Sequence, residues 1–240
     1  KIDQTYCLKI TNCVLFCRNT SIFHFWCPHM KPCPTENLPA EILSKLSNTD
    51  GRLIIAIAGP PGAGKSTISE YLRDAINKGG VGPAVIVPMD GFHLDNAILD
   101  ERGLRSRKGS PPTFDCAGFA ALLGRLKNAS EDVVIPAFDR TLDLARAGAA
   151  IVRADHQILL VEGNYLLLNQ EPWTELASFF DMTIYLEVPF SELERRLIQR
   201  WLDHGHTEDA ARQRALSNDI PNAELVVSSS RDANYIVTTA

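Results

Sequence analysis

Apolar residues along this chain occur either in short continuous runs or in longer segments at helical spacing. Short runs rich in β-branched residues are typical of buried strands, and helical spacing is typical of amphipathic helices. The runs predict strands at residues 53–58, 84–87, 133–135, 158–161, 182–186 and 235–237. The spaced segments predict helices at residues 40–46, 66–77, 114–128 and 191–203. This alternation predicts an α/β fold, a three-layer α/β/α sandwich with a parallel five-stranded core sheet.

Two of the predicted helices carry capping signals at their N-terminal ends. Asp115 lies at the start of the helix at residues 114–128, where its side chain can accept backbone N–H groups. Ser191 and Glu194 have the spacing of a capping box. Residues 30–39 are rich in proline and are predicted to be extended.

Residues 59–67 read G-P-P-G-A-G-K-S-T and stand between a predicted strand and a predicted helix. They fit G-x-x-x-x-G-K-[ST], in which backbone N–H groups and a helix N-terminus face the phosphates of a nucleotide. Lys65 would lie along the β- and γ-phosphates, and the Ser66 hydroxyl would ligand Mg²⁺. A purely structural glycine-rich turn does not account for the full match in this context. The predicted nucleotide-binding residues are Gly59, Gly62, Ala63, Gly64, Lys65, Ser66 and Thr67.

Acidic residues follow two of the other predicted strands. Asp90 and His93 come after the strand at residues 84–87, and Glu162 closes the apolar run 158–161. Ligands of open α/β sheets bind at the carboxyl ends of the strands, so these side chains are expected beside the glycine-rich loop. A strand ending in an acid resembles a Walker B strand, and we expect Glu162 to hold Mg²⁺ together with Ser66.

The helix at residues 191–203 carries Arg196 and Arg200 on one face, one turn apart. The sequence H-G-H-T follows, and then a second predicted helix with Arg212 and Arg214. Guanidinium groups stabilise charge on a transferring phosphate, so this unit predicts a helical lid. The alternative is a solvated surface on which the arginines pair with local acids such as Glu192.

Residues 101–112 are basic and rich in glycine and proline, with Arg102, Arg105, Arg107 and Lys108. Such charge runs are usually solvated loops. A mobile basic loop after a candidate active-site strand is also suited to closing over phosphates. The sequence leaves both interpretations open.

Composition argues against two classes of partner. The chain has 240 residues, a net charge of −5 and a pI near 5.7, whereas proteins that bind nucleic acid usually carry a basic excess. Its apolar runs are far too short for a membrane span. One α/β domain at residues 51–240, preceded by a linker and short helix at 30–50, accounts for most of the length. The oligomeric state stays open, a homodimer included.

Five of the six cysteines lie near the start of the chain, interleaved with His24 and His29. A metal site and a disulfide cluster are two interpretations, but C-x-x-C spacing is absent and P-loop enzymes usually work in the reducing cytosol. Because the chain begins with Lys1 and its first methionine is Met30, residues 1–29 are expected to be a leader outside the folded domain. We expect a cytoplasmic location. The five cysteines are Cys7, Cys13, Cys17, Cys27 and Cys33.

With these segments placed, the chain resembles the P-loop small-molecule kinases that include uridine kinase, pantothenate kinase and phosphoribulokinase, and most of all the fructose transport system kinases. The resemblance runs from about Leu38 to the C-terminus. Besides the P-loop it rests on the motifs V-P-M-D-G-F-H-L-D-N, R-K-G-S-P-P-T-F-D, I-P-A-F-D-R, L-L-V-E-G-N-Y-L-L-L and L-E-R-R-L-I-Q-R-W. It implies a P-loop NTPase fold with Mg-ATP as the phosphate donor.

The resemblance also implies roles for individual residues. Asp90 corresponds to the acid that takes the proton from the acceptor hydroxyl, and Lys65 and Arg200 join it as catalytic residues. Arg196 and Arg200 correspond to the lid arginines, and Glu162 to the acid of the metal site. The implied substrate contacts are His93, Asp139, Arg140 and Tyr165.

The expected function is therefore transfer of the γ-phosphoryl group of Mg-ATP to a hydroxyl of a small metabolite. A sugar is the favoured acceptor. The Gly-Phe-His triplet after Asp90 differs from the serine, phenylalanine and tyrosine of uridine kinases, which weakens a nucleoside as the acceptor. A pantothenate-like compound or a nucleoside stays open. The alternative is a regulatory or chaperone-type NTPase without a small-molecule acceptor.

Overall fold

The computed structural model describes residues 30–80 and 82–239, together with the backbone of three short strands before residue 30. These strands, β1 (Lys9–Ile10), β2 (Cys13–Leu15) and β3 (Phe25–Trp26), pair antiparallel in that order. The side chains of residues 1–29 lie outside the description. The interpretations of the cysteines and histidines in this leader therefore stay predictions.

Six parallel strands form the central sheet, with one strand more than the five expected. They are β4 (Lys31–Pro32), β5 (Leu53–Ala58), β6 (Ala84–Pro88), β9 (Ile158–Gly163), β10 (Met182–Glu187) and β11 (Tyr235–Thr238). Their order across the sheet is β4, β11, β10, β5, β9, β6. The additional strand β4 comes from the proline-rich segment and pairs with β11 at one edge, where a proline is tolerated. The α/β prediction is confirmed.

Residues 133–135, predicted as a strand of the parallel sheet, belong instead to a separate hairpin. Strand β7 (Val133–Asp139) pairs antiparallel with β8 (Leu144–Val152). Val133 and Ile135 are buried, but Val134 between them is 49% exposed, so only one face of β7 meets the core. A strand of the parallel sheet would be covered on both faces.

Seven α-helices occur within the described part of the chain. They are α1 (Leu38–Leu46), α2 (Lys65–Lys78), α3 (Asn96–Glu101), α4 (Cys116–Asn128), α5 (Phe190–Asp203), α6 (Glu208–Arg214) and α7 (Ile220–Ser229). The four predicted helices correspond to α1, α2, α4 and α5, and α6 is the second lid helix. A π-helical turn (Ala215–Asp219) joins α6 to α7. No helix among these residues is long and apolar enough to cross a membrane.

The two capping predictions had different outcomes. The Asp115 side chain accepts the backbone N–H of Gly118 at 2.9 Å, which confirms this cap. The capping box at Ser191 is wrong, because α5 begins one residue earlier, at Phe190, with Pro189 as its N-cap and no side-chain cap. Ser191 therefore lies inside the first turn of the helix.

Both faces of the central sheet are covered, which explains why its strands are continuous apolar runs. Side chains alternate along β5, so that Ile54 packs in the cluster that includes Phe119 of α4. Its neighbour Ile55 packs in the opposite cluster, which includes Leu72 of α2. Residues 30–50 share this core, because Leu38 of α1 is fully buried there.

Candidate active site

The glycine-rich loop turns at the carboxyl end of β5 and leads directly into α2. Gly59, Gly62 and Gly64 have φ angles of +154°, +82° and +87°, a region that residues with a Cβ rarely adopt. A Cβ on Gly59 would lie 2.9 Å from the backbone oxygen of Leu186. Gly64 is the N-cap of α2, so the N-terminus of this helix opens onto the loop. Such a loop presents backbone N–H groups and a helix dipole to an anion.

Lys65, the first residue of α2, folds back over this loop. Its Nζ donates to the carbonyl oxygens of Gly59 at 3.0 Å and Pro60 at 2.9 Å. Burial lowers the pKa of Lys65 to about 8, and the carboxylates of Glu162 and Asp90 oppose this shift. The ammonium therefore lies within electrostatic range of both predicted acids.

The Ser66 hydroxyl and the Glu162 carboxylate lie side by side. Ser66 Oγ donates to Oε2 of Glu162 at 2.9 Å and lies 3.2 Å from Oε1. Burial raises the pKa of Glu162, while the hydrogen bond from Ser66 and the charge of Lys65 oppose the shift. A hydroxyl and a carboxylate beside a phosphate loop fit Mg²⁺, which prefers oxygen ligands and keeps other positions for water and phosphate. Within the described residues, no group of three or more His, Cys, Asp or Glu forms an all-protein metal site.

A cavity of about 580 Å³ lies beside the loop, among residues from the strand ends and the lid helices. Asp90 lines it from the 3-10 turn that follows β6. Arg200 and Trp201 of α5, Arg214 of α6 and Asn222 of α7 line it from the lid. The cavity thus brings the predicted base, Asp90, together with one predicted lid arginine.

His93 also lines this cavity, and contacts on several sides hold its ring. The ring centroid lies 4.1 Å from that of Phe114 and 4.5 Å from that of Phe138. Nδ1 lies 2.8 Å from the carbonyl oxygen of Asp90, so Nδ1 carries the proton in the neutral ring and donates it to this bond. Burial lowers the pKa of His93, although Asp90 favours the cation. The neutral ring then keeps Nε2 as a hydrogen-bond acceptor.

The two predicted lid arginines occupy different places. Arg196 donates from Nε to Glu192 at 2.7 Å and from Nη1 to the carbonyl oxygen of Gly62 at 3.3 Å, so it contacts the glycine-rich loop itself. Arg200 donates from Nη2 to Oδ2 of Asp219 at 3.4 Å and lines the cavity. Pairing with Glu192 therefore holds for Arg196, whereas Arg200 pairs with an acid of the lid.

The four predicted substrate contacts separate into two groups. His93 and Arg140 line the cavity. The Asp139 carboxylate accepts two backbone N–H groups in the turn between β7 and β8, each at 3.1 Å, and so shapes that turn. Tyr165 is fully buried, and its hydroxyl donates to the carbonyl oxygen of Gly109 at 2.6 Å. Neither Asp139 nor Tyr165 lines the cavity, and both side chains bind groups of the protein itself.

The basic segment after α3 is held against its neighbours. The Lys108 side chain is only 8% exposed, and its Nζ lies 2.9 Å from Asp143 and 2.7 Å from Oδ1 of Asn96. Arg107 donates to the carbonyl oxygen of Ser217, in the π-helical turn, at 2.9 Å. These contacts join the segment to the β7–β8 turn and to the lid, and Arg105 and Lys108 line the cavity. The segment is therefore not a purely solvated loop, and its closure over phosphates stays a prediction.

Sequence reasoning missed the buried polar residues that follow α6. Asn218, Asp219 and Asn222 are 2%, 7% and 3% exposed, and all three line the cavity. Oδ2 of Asp219 accepts the indole N–H of Trp201 at 2.6 Å. The available signal was the spacing of Asn218 and Asn222, which places two polar residues on one face of a mostly apolar segment.

This site consists of a strand, a glycine-rich loop and a helix, with the Ser66 hydroxyl, the Glu162 carboxylate and a charged cavity beside them. These features define a P-loop nucleotide-binding protein. The sequence model of the AAA domain family matches residues 55–215.

Curated relatives and a solved structure narrow this class. The chain is 37% identical over 208 residues to "Uncharacterized protein YggC" of Escherichia coli (strain K12), covering 84% of this chain and 86% of the relative. It is 35% identical over 183 residues to "Putative uridine kinase C227.14" of Schizosaccharomyces pombe, covering 73% and 78%. The crystal structure of a "putative fructose transport system kinase" from Silicibacter sp. TM1040 matches with a TM-score of 0.81 and 45% identity, covering 85% of this chain and 98% of that one. The chain therefore belongs to the AAA domain family and, within it, to the P-loop small-molecule kinases, which are phosphotransferases with an alcohol group as acceptor.

Proposed function

We propose that this protein transfers the γ-phosphoryl group of Mg-ATP to a hydroxyl of a small metabolite, with a sugar as the favoured acceptor. The observation that carries the proposal is that Asp90 and Arg200 line one cavity directly beside the P-loop. An acid able to accept a proton and a cation able to stabilise developing charge are the groups that phosphoryl transfer to an alcohol requires.

On the donor side, the backbone of residues 59–67 would bind the phosphates, and Lys65 would exchange its carbonyl contacts for phosphate oxygens. Ser66 and Glu162 would hold Mg²⁺, which neutralises charge on the phosphates when bound. Arg196, in contact with Gly62, would support the loop from the lid.

On the acceptor side, Asp90 would orient the hydroxyl and accept its proton, while Arg200 approaches the transferring group. His93 and Arg140 are the proposed substrate contacts, because both line the cavity. Asp139 and Tyr165 would act indirectly, through the β7–β8 turn and through Gly109.

The cavity wall supports a sugar as the acceptor. Phe138 and Trp201 contribute aromatic rings, and Asn164 and Asn222 contribute amides that can donate to and accept from hydroxyl groups. A sugar presents apolar C–H faces and several hydroxyls, and so can use both. The name of the similar Silicibacter structure favours the same acceptor class. A pantothenate-like compound and a nucleoside are the competing acceptors.

The test is ADP release by the full chain with Mg-ATP across fructose and other sugars, uridine, cytidine and pantothenate. We expect a large rise with one compound, which Asp90→Asn abolishes while nucleotide binding persists. Asp74→Asn, in an exposed pair with Arg73 on α2, is the matched control and should keep full turnover. Retained turnover in Asp90→Asn would remove Asp90 from its role.

A flat panel with steady background hydrolysis would instead support the regulatory NTPase, and stimulation by a protein would then be sought. Size-exclusion chromatography of the same preparation tests the homodimer. We also propose a reducing, cytosolic location, which suits the free thiols of Cys33 and Cys116.

A further inference from the structure

We infer that Asp219 is a positioning residue for phosphoryl transfer, whose carboxylate holds Arg200 and Trp201 side by side at the cavity. The inference rests on the proposed function, in which Arg200 approaches the transferring group. Asp219 ends the π-helical turn directly before α7 and is 7% exposed. A carboxylate buried to this degree needs charged or hydrogen-bonding partners.

One oxygen of Asp219 serves both partners. Oδ2 accepts the indole N–H of Trp201 at 2.6 Å and Nη2 of Arg200 at 3.4 Å. Arg200 and Trp201 are consecutive on α5, and the guanidinium carbon of Arg200 lies 5.5 Å from the centroid of the Trp201 ring. The short bond to Trp201 orients the ring, and the ring and the carboxylate together restrict where the Arg200 guanidinium can lie.

A second guanidinium uses the same ring. The guanidinium carbon of Arg214, at the end of α6, lies 5.2 Å from the centroid of the Trp201 ring, and Arg214 lines the cavity. Asp219 thereby connects the start of α7 to cationic groups on both lid helices. The π-helical turn is the local feature that puts Asp219 there, and such turns occur frequently at functional sites.

The Asp219–Arg200 contact has little value for stability alone. The Arg200 side chain is 44% exposed and its contact with Asp219 is long, so solvent screens the pair, while the indole N–H of Trp201 still satisfies the carboxylate. Orientation is a different matter, because a displacement of about 1 Å in a catalytic group can lower a rate about 100-fold. Loss of the Asp219 charge should therefore lower kcat far more than it lowers stability.

A double-mutant cycle on kcat tests this inference. Asp219→Asn keeps an oxygen acceptor for Trp201 and removes the charge that holds Arg200. We expect kcat to fall about 10- to 100-fold with little change in KM for Mg-ATP. In an Arg200→Ala background the same substitution should cause no further loss, because the group that Asp219 positions is already absent.

The control is Asp203→Asn, which neutralises a carboxylate at the end of α5, the helix that carries Arg200; Asp203 accepts from Gln199 at 2.8 Å and does not line the cavity. It should leave kcat unchanged. Thermal unfolding is measured for each variant. If Asp219→Asn does not fold, Asp219→Glu replaces it. The longer glutamate side chain keeps the charge but displaces Arg200, so kcat should fall in this variant as well.

Two failures are distinguishable. If the unaltered protein phosphorylates an acceptor and the two substitutions lower kcat additively, or Asp219→Asn leaves kcat intact, the inference about Asp219 is overturned and the kinase stands. If no acceptor is phosphorylated, the proposed function fails. The double-mutant cycle of Asp219→Asn and Arg200→Ala is then measured on the rate of background Mg-ATP hydrolysis.

Discussion

The Ser66 hydroxyl donates to Oε2 of Glu162 at 2.9 Å, although 96 positions separate these residues in the chain. The contact joins the first turn of α2 to the end of β9. It forms because β5 and β9 are parallel neighbours in register, with Ala58 beside Gly163. Strand pairing therefore brings together the two oxygen ligands of the predicted magnesium site.

Replacing Glu162 by glutamine should raise the Mg²⁺ requirement of the enzyme. The change keeps the side-chain volume but exchanges a carboxylate for a neutral amide, which is a weaker ligand for Mg²⁺. We expect the Mg²⁺ concentration for half-maximal rate to rise at least about tenfold, measured by titration at fixed ATP. Glu224→Gln, on the exposed face of α7, should not move the curve. Overlapping curves for Glu162→Gln and the unaltered protein would exclude Glu162 as a ligand.

Lys65 should make nucleotide capture depend on pH. Burial lowers its pKa to about 8, so the ammonium is charged below that pH and loses its charge above it. Because phosphates bind the charged form, kcat/KM for Mg-ATP should fall as pH rises through about 8. The plateau of kcat should extend to higher pH, since bound phosphate raises the pKa of Lys65.

The control for this profile is Lys65→Arg, whose guanidinium stays charged at these pH values. Its absolute rate is expected to be lower, but the decline near pH 8 should disappear. An unchanged decline in this variant would assign the titration to another group.

Two glycines of the P-loop should respond differently to alanine. A Cβ on Gly59 would lie 2.9 Å from the backbone oxygen of Leu186, whereas a Cβ on Gly64 would meet nothing within 4 Å. Both have positive φ, which costs alanine about 1–2 kcal/mol. Gly64→Ala should show that cost alone, and Gly59→Ala about 2–4 kcal/mol, because β10 resists displacement. Urea unfolding measures both, and equal losses would contradict the predicted clash.

Arg52 should be important for stability and unimportant for catalysis. It is 8% exposed and donates to the carbonyl oxygens of His156 at 3.1 Å, Leu126 at 2.9 Å and Arg153 at 2.8 Å. Arg52→Lys cannot reach these separated oxygens at once, and unsatisfied buried acceptors should lower the free energy of unfolding by about 2–4 kcal/mol.

Urea unfolding checks this loss, with Arg73→Lys as the exposed control. Arg73 pairs with Asp74 at the surface of α2, where replacement should cost about 0.5 kcal/mol or less. Arg52 precedes the N-terminal end of β5, and the P-loop follows the C-terminal end of the same strand. We therefore expect kcat of the folded Arg52→Lys protein to be unchanged. A large fall in kcat would show that this edge is coupled to the active site.

Sequence patterns predicted the central elements well and the peripheral ones poorly. The run at residues 53–58 is apolar throughout because both of its faces are buried, and this signal also identified β6, β9, β10 and β11. The hairpin of β7 and β8 has one exposed face and many small residues, so its hydrophobic pattern is weak. The sequence therefore predicted only part of β7 and missed β8. The N-terminus of α5 was misjudged because Pro189, rather than a side-chain cap, marks its start.

In the candidate site, the sequence identified Asp90 but not Asp219. Asp90 was found because it directly follows a strand, and all strand ends of a parallel sheet meet at one edge. Asp219 was missed because its approach to Trp201 depends on the π-helical turn and on the packing of α7 against α5. Tyr165 follows a strand as well, yet its hydroxyl binds Gly109 instead of reaching the cavity.

The sequence by itself determined the α/β class, the P-loop and the kinase family, because these depend on residues close together in the chain and on one simple rule of sheet topology. Only the tertiary structure decided which side chains reach the cavity. Whether His93 or Asp139 reaches it depends on hydrogen bonds and packing between elements that are distant in sequence. Those long-range contacts leave no periodic pattern in the chain.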